Sequence, residues 1–140
     1  MSGLRVLETS LYVDDLDAAE RFYHGVLGLE VRGRHPGRHV FFRCGGGVLL
    51  VFAPEATAGA ASMVDGTPIP PHGADGPGHV AFAVPEPELA SWKDRLMQRG
   101  VAIEAEVRWP RGGRSVYFRD PAGNSLELAS PAIWGLPEDT

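Results

Sequence analysis

The sequence predicts an α+β fold in which a unit of one strand, one helix and three further strands occurs twice. Short alternating apolar segments and two helical segments follow one another in the same order in both halves of the 140 residues. The 18 glycines and 12 prolines favour the many turns of a strand-rich protein. We therefore expect one domain, residues 1–140, made of module 1 (4–53), a linker (54–76), module 2 (77–129) and a tail (130–140).

The first module starts with a strand over residues 4–13, in which apolar and polar side chains alternate. Asp14 and Asp15 then supply helix N-cap chemistry, and apolar residues at helical spacing continue to Gly28. Three strands follow, over residues 29–33, 39–44 and 48–53.

Residues 54–76 are rich in Ala, Gly and Pro and show little periodicity, so they predict a connecting loop. After this loop the first pattern returns, which marks the second module. It contains a strand over 78–84, a helix over 85–100, a strand over 101–107 and a hairpin with strands 115–119 and 125–129. The Asp-Pro-Ala-Gly-Asn between the last two strands favours a reversing turn.

Composition excludes several classes of protein. The net charge of −5 is spread along the chain without a basic stripe, which argues against nucleic acid and membrane as partners. The single Cys44 excludes an internal disulfide and a multi-cysteine zinc site. No signal-peptide pattern and no apolar run of about 20 residues is present, so we expect a cytoplasmic protein.

The two halves align without gaps in two places, residues 8–13 with 79–84 and residues 38–52 with 114–128. In the second pair, residues at an Arg, a Val, a Phe, a further Arg and a Gly position are identical. So many matches exceed a composition effect and predict a duplicated unit.

The alignment sets Glu8 opposite His79 and Val51 opposite Glu127. If a pseudo-twofold axis relates the halves, these four positions converge on it. Three of them are metal-ligand residue types, and Glu127 alternates with leucines on a face of small residues, where a carboxylate needs water, a partner or a metal. Small side chains such as Ser10 leave an open trough there for a ligand.

Other residues of the same strand faces predict a substrate pocket. His39 and Phe41 share one face of a strand, and Tyr117 lies on the matching face of its repeat. If the hairpin register sets Tyr117 beside Glu127, these side chains line the trough. The predicted pocket consists of Ser10, His39, Phe41, Val51 and Tyr117.

Three motifs together resemble the vicinal oxygen chelate superfamily, the group of glyoxalase I, extradiol dioxygenases, and fosfomycin and bleomycin resistance proteins. The resemblance covers nearly the whole chain. It implies two strand-helix-strand-strand-strand modules whose mixed sheets curl around a cleft, and a homodimer in which the cleft is completed within one chain or across two. The motifs are Gly-Pro-Gly-His79-Val-Ala-Phe-Ala-Val, the helix entry Val13-Asp14-Asp15-Leu16, and Asp120-Pro-Ala-Gly-Asn-Ser-Leu-Glu127-Leu128.

The resemblance also implies a ligand set. His79 and Glu127 match the metal-binding His and Glu of the second module, and Glu8 falls where the first module usually has His or Gln. Val51 falls where glyoxalase-like members have a further Glu, which leaves coordination sites open for substrate or water. One imidazole and two carboxylates suit Mn, Mg, Ni, Zn or Co better than a dioxygen-activating Fe site.

Two functions follow from this resemblance. In the first, the protein is a divalent-metal-dependent lyase, isomerase or dioxygenase that acts on a small molecule with vicinal oxygens. Glu8, His79 and Glu127 bind the metal, and Glu8 and Glu127 are the catalytic residues. In the second, a metal-free cleft sequesters a drug or a metabolite, as in bleomycin resistance proteins.

Overall fold

The computed structural model describes residues 3–59 and 62–140 and divides into two compact units, one up to Gly78 and one from His79. Each unit contains one strand-helix-strand-strand-strand module, as the alignment of the two halves predicted. The modules form separate four-stranded mixed sheets with the same strand order. That these sheets curl around a common cleft stays a prediction.

Unit 1 is built on a sheet in which the first strand is inserted next to the last. Its order is β1-β4-β3-β2, with β1 and β4 parallel and the other neighbours antiparallel. The Asp15 side chain accepts a hydrogen bond from the Ala18 amide, confirming the predicted N-cap, and the helix continues as one π-helical stretch, Arg21–Val26. The elements are β1 (Glu8–Tyr12), α1 (Leu16–Glu20), β2 (Glu30–His35), β3 (His39–Cys44) and β4 (Gly47–Phe52).

The predicted connecting loop contains regular structure. A helix, α2 (Pro54–Ala58), is followed by a hairpin of β5 (Ser62–Val64) and β6 (Thr67–Ile69). Asp65 and Gly66 form its turn with φ of 51° and 75°. This Asp-Gly pair is the sequence signal for a hairpin that the loop prediction missed, while residues 60 and 61 lie outside the described residues.

Unit 2 repeats the architecture with the order β7-β10-β9-β8. Here β7 and β10 are parallel, and β9 pairs antiparallel with β10 and with β8. A 3-10 turn, Glu86–Glu88, leads into its helix. The elements are β7 (His79–Ala83), α3 (Leu89–Gln98), β8 (Ala105–Arg108), β9 (Arg114–Arg119) and β10 (Ser125–Ala129).

Each unit buries one face of its sheet together with its helix. In unit 1 the buried side chains include Leu11 and Val51 of the sheet and Tyr23 of the helical segment. In unit 2 they include Leu126 of the sheet and Leu96 of α3. Because side chains alternate across a strand, the residues between these positions lie on the opposite face of each sheet, where the predicted site residues other than Val51 are found.

The tail begins with a buried anchor. Ser130 Oγ accepts a hydrogen bond from the Arg114 amide at 2.9 Å, and a 3-10 turn, Pro131–Trp134, follows. Ser130 is fully buried, so the tail is anchored to unit 2 at its first residue. Among the described residues, no helix is long and apolar enough to cross a membrane.

Candidate metal site and substrate face

Two of the three predicted metal ligands lie together in unit 2. His79 is the first residue of β7, and Glu127 lies at the middle of the neighbouring β10. His79 Nε2 is 3.4 Å from Glu127 Oε1. The glutamate side chain is 6% exposed and the histidine side chain 51%, so this pair has one buried and one accessible member.

The histidine is fixed by a bond to the backbone. His79 Nδ1 lies 2.9 Å from the carbonyl oxygen of Ser125, its register partner on β10. A carbonyl only accepts, so Nδ1 donates this bond and Nε2 is the ring nitrogen that faces Glu127. This is the arrangement in which metal-binding histidines are held by a second hydrogen bond.

The second carboxylate oxygen of Glu127 lacks a donor. Oε2 is buried and has no hydrogen-bond partner among the described residues. A buried carboxylate oxygen without a donor is costly, so this atom indicates that the site is completed by a further positive group.

The donor set and its spacing fit a divalent cation. Imidazole nitrogen and carboxylate oxygen bind Zn²⁺ and similar ions at about 2.0–2.2 Å, and two such atoms at a tetrahedral angle are about 3.4 Å apart. The His79 to Glu127 distance of 3.4 Å agrees with that spacing. Within the part of the chain that the structure describes, no group of three or more His, Cys, Asp or Glu side chains is gathered in a metal-binding cluster.

Tyr117 borders the pair. It is the register partner of Glu127 across the β9–β10 hairpin, which is the register on which the predicted pocket depended, and its ring stacks toward His79 with centroids 6.3 Å apart. Burial, and then the charge of Glu127, raise the pKa of Tyr117. Tyr117 therefore keeps its proton and offers a neutral hydroxyl to the site.

The remaining predicted site residues belong to unit 1. Glu8 is exposed on β1, and Ser10 follows it on the same face of the strand. Phe41 of β3 and Leu50 of β4 are register partners, and Ser10 pairs with Leu50. Glu8, Ser10 and Phe41 therefore share one face of the first sheet, and the membership of Glu8 in the metal site stays a prediction.

Val51 does not lie on that face. It is fully buried and pairs with Leu11 and Val40 on the helix side of the sheet. In unit 2, Tyr117 pairs with Glu127, whereas its aligned counterpart Phe41 pairs with Leu50. The structural counterpart of Glu127 is therefore Leu50, and the gap-free alignment is displaced by one residue on this strand.

The displacement arises in the turns. Residues 44–47 connect the paired Arg43 and Val48 in the first hairpin, whereas residues 120–124 connect Arg119 and Ser125 in the second. The second connection is one residue longer, and a shift by one residue moves a side chain to the other face of a sheet. This corrects the predicted pocket role of Val51.

The predicted pocket residues His39 and Phe41 belong to a larger aromatic cluster, whose other members the sequence analysis did not identify. His39 and Phe41 stack in parallel with ring centroids 3.9 Å apart. Phe52 meets both of them edge-on, and Tyr12 shares a hydrogen bond with His72, whose ring contacts Phe52. Part of this cluster could have been predicted from the sequence. Strand alternation places Tyr12 on the face of Glu8 and Phe52 on the face of His39.

Comparison with known proteins gives a family match over most of the chain. The sequence pattern of the Glyoxalase/Bleomycin resistance protein/Dioxygenase superfamily matches residues 5–128. The glutathione transferase FosA of Serratia marcescens is 32% identical over 119 residues, which span 85% of this chain and 75% of that protein. The metallothiol transferase FosB of Bacillus licheniformis is 32% identical over 57 residues, 40% of this chain and 37% of that protein.

A solved structure is also similar over nearly its full length. The crystal structure of a lactoylglutathione lyase from Agrobacterium tumefaciens shares 45% sequence identity with this chain at a TM-score of 0.89. The match covers 97% of this chain and 100% of that one.

Proposed function

The chain belongs to the Glyoxalase/Bleomycin resistance protein/Dioxygenase superfamily, and on that premise we propose that it is a divalent-metal-dependent enzyme acting on a small molecule with vicinal oxygens. Its proposed ligands are Glu8, His79 and Glu127. The observation that carries the proposal is the buried Glu127 Oε2, which has no donor, beside a histidine whose Nε2 faces the same carboxylate at 3.4 Å.

The relatives favour a thiol-linked substrate. One similar structure is called a lactoylglutathione lyase and one similar protein is called a glutathione transferase. Both names refer to the same thiol, glutathione. A 2-oxoaldehyde joined to such a thiol carries a hydroxyl and a carbonyl on adjacent carbons. We infer that an adduct of this kind is the first substrate to test, with lyase or isomerase chemistry ahead of dioxygenase chemistry.

The two carboxylates differ in exposure, and we infer their roles from this difference. Glu127 is buried on an inner strand of its sheet. Glu8 is exposed on an edge strand and can move, so in this proposal it takes a proton from the substrate carbon and returns it. A bound divalent cation supplies Lewis-acid polarisation of the substrate oxygens.

Tyr117 and His79 then have supporting roles. The raised pKa of Tyr117 keeps its hydroxyl protonated, so it can donate a hydrogen bond to substrate without taking up the transferred proton. The bond from His79 Nδ1 to Ser125 holds the imidazole in one tautomer through the reaction.

Elemental analysis of the purified protein tests the metal. The proposal expects about one divalent ion per chain, lost in Glu127→Ala together with turnover of the adduct of methylglyoxal and glutathione. A protein that contains no metal and still binds aromatic ligands would support the second function, sequestration, for which the aromatic cluster of unit 1 is a suitable surface.

A mixing experiment tests whether the site is built within one chain or across a proposed homodimer. Glu8→Gln and Glu127→Gln are each expected to be inactive. If each site takes Glu8 from one chain and Glu127 from the other, a mixed dimer contains one intact site and activity returns on mixing. If each site lies within one chain, both sites of the mixed dimer remain defective and activity stays absent.

A further inference from the structure

Arg38 occupies a position for which the proposed function gives no role. It directly precedes β3, is half-buried, and its guanidinium lies 5.5 Å from the centroid of Phe52. The guanidinium donates to His39 Nδ1 at 2.6 Å and to Ser62 Oγ at 2.8 Å. A guanidinium has five N–H groups, so these two bonds leave donors for a further partner.

The charge of Arg38 has no counter-ion in residues 3–59 and 62–140, where no carboxylate oxygen lies within 4.0 Å of it. Two exposed arginines of the neighbouring strand β2 are paired, since Arg34 lies 2.8 Å from Glu20 and Arg32 lies 3.5 Å from Glu30. Arg38 is less exposed than either of them and has no carboxylate, although burial makes an unpaired charge more costly.

The neighbouring rings define what kind of anion fits. His39 and Phe41 are parallel to within 7° at 3.9 Å, and Phe52 stands edge-on to them at 5.9 and 5.5 Å. Arginine only donates, so His39 Nδ1 must accept and the ring is neutral. Burial, Arg38 and His35 all lower the pKa of His39, which agrees with this state.

We propose that Arg38 pairs with a carboxylate carried by a flat, unsaturated part of the substrate, which His39, Phe41 and Phe52 contact. A single positive charge beside neutral rings matches a monoanion, and the planar guanidinium matches the geometry of a carboxylate. The proposal rests on the proposed function for the location of the substrate, because Glu8 lies on the same face of the sheet. It adds a specificity residue and narrows the substrate to adducts whose aldehyde part carries such a carboxylate, which methylglyoxal lacks.

Binding of trans-cinnamate and cinnamamide to the EDTA-treated chain of 140 residues tests this proposal by calorimetry. The two probes have the same ring and double bond and differ in charge. Cinnamate is expected to bind at least about tenfold more tightly, since hydrogen bonds to charged groups are the stronger ones. In Arg38→Gln the affinity for cinnamate falls to that for cinnamamide, while the affinity for cinnamamide is unchanged.

Matched variants distinguish the effect of the Arg38 charge from an effect on folding. Arg32→Gln removes an exposed arginine of the same sheet, and Ser62→Ala removes one tether of Arg38, so both are expected to keep the preference for cinnamate. Arg38→Lys keeps the charge and retains part of the preference. Equal binding of the two probes, no saturable binding of cinnamate, or an unchanged preference in Arg38→Gln would overturn the proposal, as would loss of the preference in Arg38→Lys.

The experiment is independent of the metal. If cinnamate binds through Arg38 and elemental analysis finds no metal, the enzyme proposal fails, but the Arg38 site for a ligand carboxylate remains. That result would support the second function, sequestration. If the protein holds its metal and cinnamate shows no preference, the carboxylate site fails and the metal site remains.

Discussion

The two units have the same backbone plan and different chemistry on the face that their helices leave open. Both sheets insert the first strand next to the last, with identical parallel and antiparallel neighbours. Unit 2 carries His79, Tyr117 and Glu127 on this face, whereas unit 1 carries Leu50 at the counterpart of Glu127 and surrounds it with rings. The register, which one extra turn residue changes, therefore decides which side chains of the two units correspond.

A pair of glutamate substitutions gives the largest expected effect and tests this register. Val51→Glu places a charge in the buried interior of unit 1 and is expected to lower the free energy of unfolding by more than about 4 kcal/mol. Leu50→Glu lies on the open face and is expected to cost about 1–3 kcal/mol. Urea denaturation measures both, and a greater loss in Leu50→Glu would show that the gap-free alignment was correct.

Two counterpart glycines test how the start of β9 differs from the start of β3. A Cβ at Gly113 would lie 2.6 Å from the Ile133 amide nitrogen and 2.9 Å from Ser130 Oγ, at φ of 85°. A Cβ at Gly37 meets nothing within 4 Å, at φ of 75°. Gly113→Ala is expected to destabilise by about 3 kcal/mol, from overpacking plus backbone strain, and Gly37→Ala by about 1 kcal/mol from backbone strain alone.

Thermal denaturation of the two alanine variants measures this difference. It arises because the tail packs over Gly113, an arrangement without a counterpart in the described part of unit 1. Equal losses in the two variants would show that the tail does not pack there in solution.

Glu127→Gln is expected to stabilise the metal-free protein. The buried Oε2 has no donor, so removal of the charge relieves a cost and raises the free energy of unfolding by about 1 kcal/mol near pH 8. Glu104→Gln is the control, since Glu104 is exposed and pairs with Arg119 at 2.8 Å, and its loss gives no gain. A destabilised Glu127→Gln protein would mean that the carboxylate already has its partner without metal.

The smallest expected effect concerns the titration of His39. Its counterpart in unit 2 is Ser115, a residue that does not titrate near neutral pH. Burial, then Arg38 and His35, lower the pKa of His39 in the folded protein, so the unfolded chain takes up the proton first as the pH falls. The stability that depends on neutral His39 is complete above about pH 6.5 and is lost as the pH falls through the folded pKa.

Urea midpoints at pH 7.5 and 5.5 measure this dependence. His39→Gln is expected to lose less stability between the two conditions than the wild type, whereas His24→Gln on the π-helical stretch serves as the control. An unchanged dependence in His39→Gln would contradict the assignment.

Much of the fold follows from sequence because alternation and helical spacing are local. They gave the strands around Glu8, His79 and Glu127 and the N-cap at Asp15, all of which the structure contains. The hairpin at Asp65 was missed because its strands are only three residues long, too short for alternation to be recognised.

Less of the candidate site than of the fold could be predicted from the sequence. Residue types identified His79 and Glu127 as candidates, but the hairpin register that sets Tyr117 beside Glu127 could only be assumed from the sequence. Val51 was misplaced because an alignment without gaps cannot register a turn that is one residue longer. Arg38, the proposed specificity residue, was not identified from the sequence, since the absence of a counter-ion is a tertiary property that no pattern in the sequence shows.

The most direct test of the metal site is calorimetric titration of the EDTA-treated chain with Zn²⁺, comparing wild type, Glu127→Gln and Glu104→Gln. We predict about one equivalent bound per chain by the wild type and by Glu104→Gln. Binding by Glu127→Gln is predicted to be weaker by about 100-fold or more, beyond the usual effect of losing an outer-shell partner. Equal zinc affinity in all three proteins, or no binding by the wild type, would contradict the assignment of His79 and Glu127 as metal ligands.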